Sequence, residues 1–159
     1  MRIAVMQSHP ATDGLAAALG QLERAAEQAA EQGADILVTP EMYLTGYNIG
    51  SAGVQAAAET IDGPMLAQVS AIAKQFSIAI VTGFPERADE GNVYNSAAFV
   101  DPQGHLLACY RKTHLYGDVD QTQFSAGAEL CKPIAFKGWL IGLAICYDIE
   151  FPEVSRNLA

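Results

Sequence analysis

The sequence predicts an α/β fold in which helices cover a sheet of short strands. Three observations carry that expectation. Short apolar runs at 3–7, 36–39 and 78–82 alternate with segments of helical period. Those runs are nearly all apolar rather than alternating, as strands of a covered sheet should be. Glycine and proline mark the boundaries between the two kinds of segment.

Each element has its own signal. Residues 3–7 read as the first strand. Asp13 is placed to cap a helix over about 14–32, where Leu15, Leu19, Leu22, Ala26 and Ala29 share one face and Gly33 stops the run. Residues 36–39 are a strand closed by Pro40, and 42–60, with three glycines, read as loop plus a helical piece. Asp62 or Gly63 caps a helix with Pro64 in its first turn, burying Met65, Val69, Ile72 and Phe76. A strand at 78–82 precedes a turn-rich exposed loop at 89–92. Strands at 93–101 and 105–112 are joined by the turn Asp101-Pro102-Gln103-Gly104. After a loop to about 132, Lys137-Gly138 turns into an apolar strand, 139–146, and a new helix starts at Pro152. The order is β-α-β-α-β-β-β-β and then a helix. With no repeat, low-complexity tract or linker, residues 1–159 form a single domain. The last helix has run two turns by Ala159 without a glycine stop or polar tail, so a domain cut short at its C-terminal side is expected. A short docked terminal helix is the alternative.

Composition excludes several classes of function. Half the residues are apolar and 17% are charged, ordinary for a globular protein, and the formal net charge is −9. That charge argues against nucleic-acid partners and anionic membranes. No apolar run approaches the roughly 20 residues of a membrane span, and the N-terminus reads as a strand rather than an export signal. Cys109, Cys131 and Cys146 contain no C-x-x-C pair, so free thiols and a cytoplasmic location are expected. His9, His105 and His114 lack metal-ligand spacing, so no metal site is expected.

Three residues of complementary chemistry follow three strands. Glu41 follows the strand ending at Thr39, Lys112 ends the strand from His105, and Cys146 ends the strand from Leu140. Ligands of open α/β sheets sit beyond the carboxyl ends of strands. Singly, each residue has an ordinary explanation, as a core cysteine, a solvated glutamate and a surface lysine. Together they supply a nucleophile, a base and an oxyanion donor. A thiol of pKa about 8.5 attacks only as thiolate. A carboxylate flanked by Ile36, Leu37, Val38, Pro40, Met42, Tyr43 and Leu44 can take its proton. An ammonium can hold the oxyanion, with the Tyr147 backbone N–H as a second donor.

Three segments, residues 39–47 (TPEMYLTGY), 110–117 (YRKTHLYG) and 145–153 (ICYDIEFPE), resemble the nitrilase superfamily of carbon–nitrogen hydrolases in order, spacing and flanking residues. Asn95-Ser96-Ala97 and residues 83–86 resemble it too. The resemblance covers the whole chain but only the N-terminal part of a family domain. It implies an α-β-β-α sandwich, truncated at the C-terminus, and a catalytic triad at Glu41, Lys112 and Cys146. It implies hydrolysis of a non-peptide C–N bond in a small amide or carbamoyl compound, through a cysteine thioester, to acid and ammonia. No cofactor is implied, and a homodimer or higher homo-oligomer is. Many members carry a second glutamate after the lysine strand that positions the substrate. The matching residue is Asp120, one methylene shorter, with Asp118 as a rival. The Cys146-Tyr147-Asp148 context resembles the amidase and carbamoylase branches, whereas nitrile-cleaving members tend to show Cys-Trp-Glu. Tyr43, Tyr47, Tyr116 and Tyr147 are candidates to line the acyl pocket.

Other readings use the same residues. Nitrile hydrolysis or acyl transfer would use the same triad. A cysteine–histidine hydrolase would take His114 as base but leaves Glu41 without a role. An inactive truncated fragment, or a binding module that kept the triad, would expose sheet edges and apolar faces.

Overall fold

A computed structural model describes residues 1–9, 13–88 and 91–159. The first strand, β1 (Ile3–Val5), is followed by α1 (Leu15–Glu31), β2 (Ile36–Val38), α2 (Gly50–Ala57) and α3 (Pro64–Phe76). Strands β3 (Ala79–Arg87), β4 (Val93–Val100) and β5 (Leu106–Arg111) come next, then α4 (Gly117–Gln121), β6 (Ile134–Phe136) and β7 (Trp139–Ile141). A 3-10 turn, Cys146–Glu150, leads into α5 (Pro152–Leu158). Among the described residues one sheet runs β1-β2-β3-β4-β5, parallel through β3 and antiparallel after it, and β6-β7 form a second, two-stranded sheet.

Side-chain alternation along the strands sorts the core into two layers. Leu37, Ile80, Phe84, Ala98 and Val100 meet Leu19, Leu22 and Ala26 of α1 and Met65, Val69 and Ile72 of α3. Their neighbours Ile36, Ala79, Ala97, Phe99 and Tyr110 turn the other way, onto Phe136, Leu143 and Ile145. Beyond that layer Leu158 of α5 packs against Gly142. The layering is therefore helix, sheet, hairpin, helix, in keeping with the α-β-β-α expectation. The hairpin layer covers β2 to β5. On β1, Ile3 and Val5 remain 50% and 68% exposed.

Several local expectations hold. Gly63 caps α3 with Pro64 at its first position. Asp101 Oδ1 accepts the Gln103 and His105 amides at 2.8 and 2.9 Å, closing the turn between β4 and β5. Gly33, at φ +70, ends α1. Leu15 and Phe76 lie on the expected faces, half-buried and packed against the core.

Others are corrected. The residue at the N-cap of α1 is Gly14, not Asp13, with no side-chain cap bond. The chain enters at φ 80, ψ −171, which glycine adopts readily and other residues do not. β3 runs on to Arg87 through Pro85, because the Pro85 edge faces Glu59, whose N–H the Pro85 carbonyl accepts, and no strand donor is needed there. The long loop to 132 contains α4, and β6 precedes the Lys137-Gly138 turn. The strand after that turn stops at Ile141, not Cys146. The Leu143 and Ile145 amides go to Cys131 Sγ and Asp148 Oδ2 instead of a ladder. Of the expected loop at 89–92, Asp89 and Glu90 lie outside the described residues.

The loop that follows β2 is seated on β3. Thr39 N donates to the Val81 carbonyl at 3.0 Å and Leu44 N to the Gly83 carbonyl at 3.3 Å. Met42 sits in the left-handed region at φ 51 and is fully buried. A Cβ on Gly83 would collide with the Met42 backbone nitrogen. Gly83→Ala is therefore expected to destabilise the protein by about 2 kcal/mol, as overpacking against backbone typically does. Equilibrium urea denaturation checks this, and an unchanged midpoint would mean the loop has slack.

Candidate active site

The loop residues around Glu41 are anchored in the core: Met42, Tyr43 and Leu44 are buried, and Tyr43 Oη donates to the Ala18 carbonyl at 3.0 Å. That anchoring fixes the Glu41 carboxylate at the C-terminal edge of β2. There Glu41 Oε1 accepts Asn95 Nδ2 at 2.7 Å and Lys112 Nζ at 2.8 Å.

Lys112 is wholly buried, not the surface charge that its neighbour Arg111 suggests. The pleat separates the pair. Arg111 turns to Glu86, with an ion pair of 2.5 Å, and Lys112 turns to Glu41. The Lys112 backbone is held on both sides: its N–H donates to the Asn95 carbonyl and its carbonyl accepts Gly127 N–H, each at 2.8 Å. Gly127 has no room for a Cβ against the Arg111 carbonyl, which is why that segment can lie so close to β5. Lys112 Nζ also donates to Asp120 Oδ2 at 2.6 Å. Burial pulls the Lys112 pKa down, but the hydrogen bonds to Asp120 and Glu41 and the charges of both carboxylates outweigh it and leave the pKa raised.

Asp120 lies in α4 and is fully buried. Its Oδ1 accepts Tyr47 Oη at 2.8 Å, and its Oδ2 accepts Tyr116 N at 2.8 Å as well as Lys112. Both carboxylate oxygens are thus engaged by protein donors. Asp118 is exposed. The Tyr47 ring centroid is 5.8 Å from Lys112 Nζ. Burial, the bond to Asp120 and the charges of Glu41, Asp120 and Cys146 push the Tyr47 phenol pKa up.

Cys146 opens the 3-10 turn at φ 49, a strained conformation for a non-glycine residue. Its side chain is exposed. Desolvation and the nearby Glu41 charge raise its pKa, against the pull of Lys112 and of the Tyr147 N–H. Glu41 and Lys112 are thus in contact, and both lie close enough to Cys146 to act on its charge.

Asp148 holds this turn in place, a residue for which the sequence suggested only a branch preference. Its Oδ2 accepts Ile145 N at 3.0 Å and Tyr110 Oη at 2.8 Å. Its Oδ1 accepts His114 N and faces His114 Nδ1, both at 2.9 Å, and accepts Thr113 Oγ1 at 3.1 Å. The donors come from either side of Lys112 and from the residue before Cys146. His114 is thereby turned to Asp148, with its ring stacked on Phe151 at 3.8 Å. The Tyr147 ring packs edge-on against Phe151 and against Tyr116, which is 55% exposed at the rim. The contact of Asn95 with Glu41 depends on strand pairing and carries no local signal in the sequence.

Cavities of about 790, 670 and 600 Å3 open elsewhere, between β1 and α1 and beside the Glu86–Arg111 pair, and none of these three is lined by Glu41, Lys112 or Cys146. Among the described residues no group of three His, Cys, Asp or Glu side chains is placed to hold a metal, and no helix is long and apolar enough to cross a membrane.

A mixed sheet thus brings a strained thiol, a buried ammonium and a carboxylate to one edge. Residues 2–159 match the carbon–nitrogen hydrolase family. The chain belongs to that family. It is 46% identical over 159 residues to "Hydrolase in pqqF 5'region" of Pseudomonas protegens, covering all of this chain and 55% of that protein. It is 42% identical over 125 residues to an (R)-stereoselective amidase of Pseudomonas sp., covering 79% and 44%. Against omega-amidase of Homo sapiens it is 35% identical over 140 residues, covering 83% and 50%. The chain spans about half the length of the curated relatives it matches. The crystal structure of an amidase from Nesterenkonia sp. superposes with a TM-score of 0.84 at 30% identity, over 99% of this chain and 59% of that one. A variant of the amidase from Nesterenkonia sp. AN1, with a TM-score of 0.84 and 30% identity over 99% of this chain and 61% of that one, shows Michael addition of acrylamide at its active-site cysteine.

Asp148 has a depressed pKa: burial alone would raise it, but the bonds from Ile145, His114 and Tyr110 more than reverse that. Its contribution to stability is complete above the unfolded aspartate pKa of about 3.9 and is lost as pH falls through the lower folded value. Asp148→Leu is expected to cost about 3 kcal/mol at neutral pH, since several donors lose their acceptor, and to flatten the acid side of the stability–pH curve. Denaturation across pH checks both; a variant as acid-labile as the wild type would assign the slope to other carboxylates.

Proposed function

We propose that the chain carries the catalytic triad of an amidase-type carbon–nitrogen hydrolase, which cleaves a small amide to acid and ammonia through a thioester on Cys146. The observation that carries this reading is the Glu41 carboxylate, bonded to the Lys112 ammonium at 2.8 Å and near enough to Cys146 for its charge to hold the thiol proton. Because the thiol pKa is raised, Cys146 rests protonated and needs a base.

The steps follow from the donors available. Glu41 takes the thiol proton as sulfur attacks the amide carbon, and the carbonyl π pair moves onto oxygen. Lys112 has three N–H donors, of which Glu41 and Asp120 take two, leaving one for the oxyanion. The Tyr147 N–H supplies a second. The oxyanion collapses, the C–N bond breaks, and Glu41 passes its proton to the leaving nitrogen. Water, deprotonated by Glu41, then adds to the thioester and releases the acid and the thiol. In this reading Asp120, with no exposed surface, Oδ2 filled by Lys112 and the Tyr116 N–H and Oδ1 bound by Tyr47, holds Lys112 and Tyr47 rather than substrate. Tyr116 and Tyr147 form the aromatic rim over an acyl group. The Cys146-Tyr147-Asp148 context and the amidases among the relatives support an amide rather than a nitrile. The same reading puts the protein in the cytoplasm as a homo-oligomer.

Fluoroacetamide adds covalently at the active-site cysteine of a Nesterenkonia sp. AN1 amidase variant, which makes it a suitable probe. Stoichiometric fluoroacetamide is expected to modify Cys146, and Cys146→Ala to abolish both modification and ammonia release from small aliphatic amides. Peptide mass mapping decides: modification of Cys109 or Cys131 in place of Cys146 would refute the assignment.

A further inference from the structure

We propose that Asn95 is a positioning residue that reserves one oxygen of Glu41 for the Cys146 thiol; the inference rests on the triad reading above. Asn95 lies on β4 and is 1% exposed. Its Nδ2 and Lys112 Nζ donate to the same oxygen, Glu41 Oε1, at 2.7 and 2.8 Å. A carboxylate oxygen offers two lone pairs, so Oε1 is filled and Oε2 is left as the acceptor for the thiol proton. The Asn95 backbone carbonyl also accepts the Lys112 N–H at 2.8 Å. One residue therefore sets both the register of the strand that carries Lys112 and the rotation of the Glu41 carboxylate.

The orientation of the Asn95 amide has a visible cost. With Nδ2 turned to Glu41, Asn95 Oδ1 is buried with no hydrogen-bond partner. Flipping the amide would set Oδ1 against a carboxylate oxygen, an acceptor facing an acceptor. A buried acceptor left unmatched is tolerated where the donor is required opposite it. Lys112 alone would leave the carboxylate free to rotate about that single contact and present either oxygen.

The test needs no turnover. The rate of Cys146 alkylation by iodoacetamide, mapped by mass spectrometry on the 159-residue chain, is followed against pH for the wild type, Glu41→Gln and Asn95→Leu. The Glu41 charge favours the protonated thiol, so Glu41→Gln should lower the midpoint by about one pH unit. Asn95→Leu, which keeps the charge but frees the carboxylate to turn away, should lower it by about half as much. A role confined to packing would change the melting temperature and leave the midpoint in place. If Asn95→Leu does not fold, Asn95→Ala carries the same comparison. An unchanged or raised midpoint in the Asn95 variant, beside a lowered one in Glu41→Gln, overturns the positioning role and leaves the triad standing. A Glu41→Gln midpoint equal to the wild type removes the action of Glu41 on the thiol itself, and with it the reading beneath.

Discussion

An ammonium with no exposed surface is a demanding group to build a protein around. Desolvating it costs several kcal/mol, and only close carboxylates with good geometry offset that. Lys112 meets the demand with Glu41 at 2.8 Å and Asp120 at 2.6 Å, which come from the loop after β2 and from α4. Neither carboxylate can be withdrawn without leaving a buried charge short of a partner. The contact therefore fixes the loop after β2, the end of β5 and α4 at one point. Tyr47, bound to Asp120, and the α4 turn, closed by Tyr116 N on the same carboxylate, follow from it.

Asp148 is a second anchor of the same kind. It is a buried carboxylate that accepts the Ile145 and His114 amides and the Tyr110 and Thr113 hydroxyls, donors that flank Lys112 on one side and precede Cys146 on the other. The strained turn at Cys146 is held by Asp148, which takes the Ile145 amide. Lys112 and Cys146, 34 residues apart in the sequence, keep their spacing through one aspartate rather than through a shared strand. This explains how Cys146 can stand five residues beyond the end of β7 and still be fixed.

Elements governed by near neighbours in the chain were legible from sequence. The apolar face of α1, the Gly63-Pro64 start of α3 and the Asp101–Gly104 turn each depend on contacts within a few residues. Glu41 and Lys112 stand just beyond the ends of β2 and β5, as their place after apolar runs suggests, whereas Cys146 stands five residues beyond β7. The strand over 139–146 was misread because apolar composition reports burial, not pairing. Leu143 and Ile145 are buried as expected, yet their amides bond to Cys131 Sγ and Asp148 Oδ2. α4 escaped notice because a five-residue helix has no period to detect; it exists because Asp120 must reach Lys112.

By itself the sequence determined the longer helices, the strands of the main sheet and which of their faces are apolar, because propensity and period are local properties. Only the tertiary structure decided that Lys112 is buried while Arg111 is not, that Asp120 accepts Lys112, Tyr47 and the Tyr116 N–H, that Asn95 bonds to Glu41, and that Asp148 gathers the donors around the turn. Those outcomes depend on which side of a pleat faces which neighbour and on where each buried polar group finds its partner. Both are fixed by long-range pairing, which no stretch of sequence encodes alone.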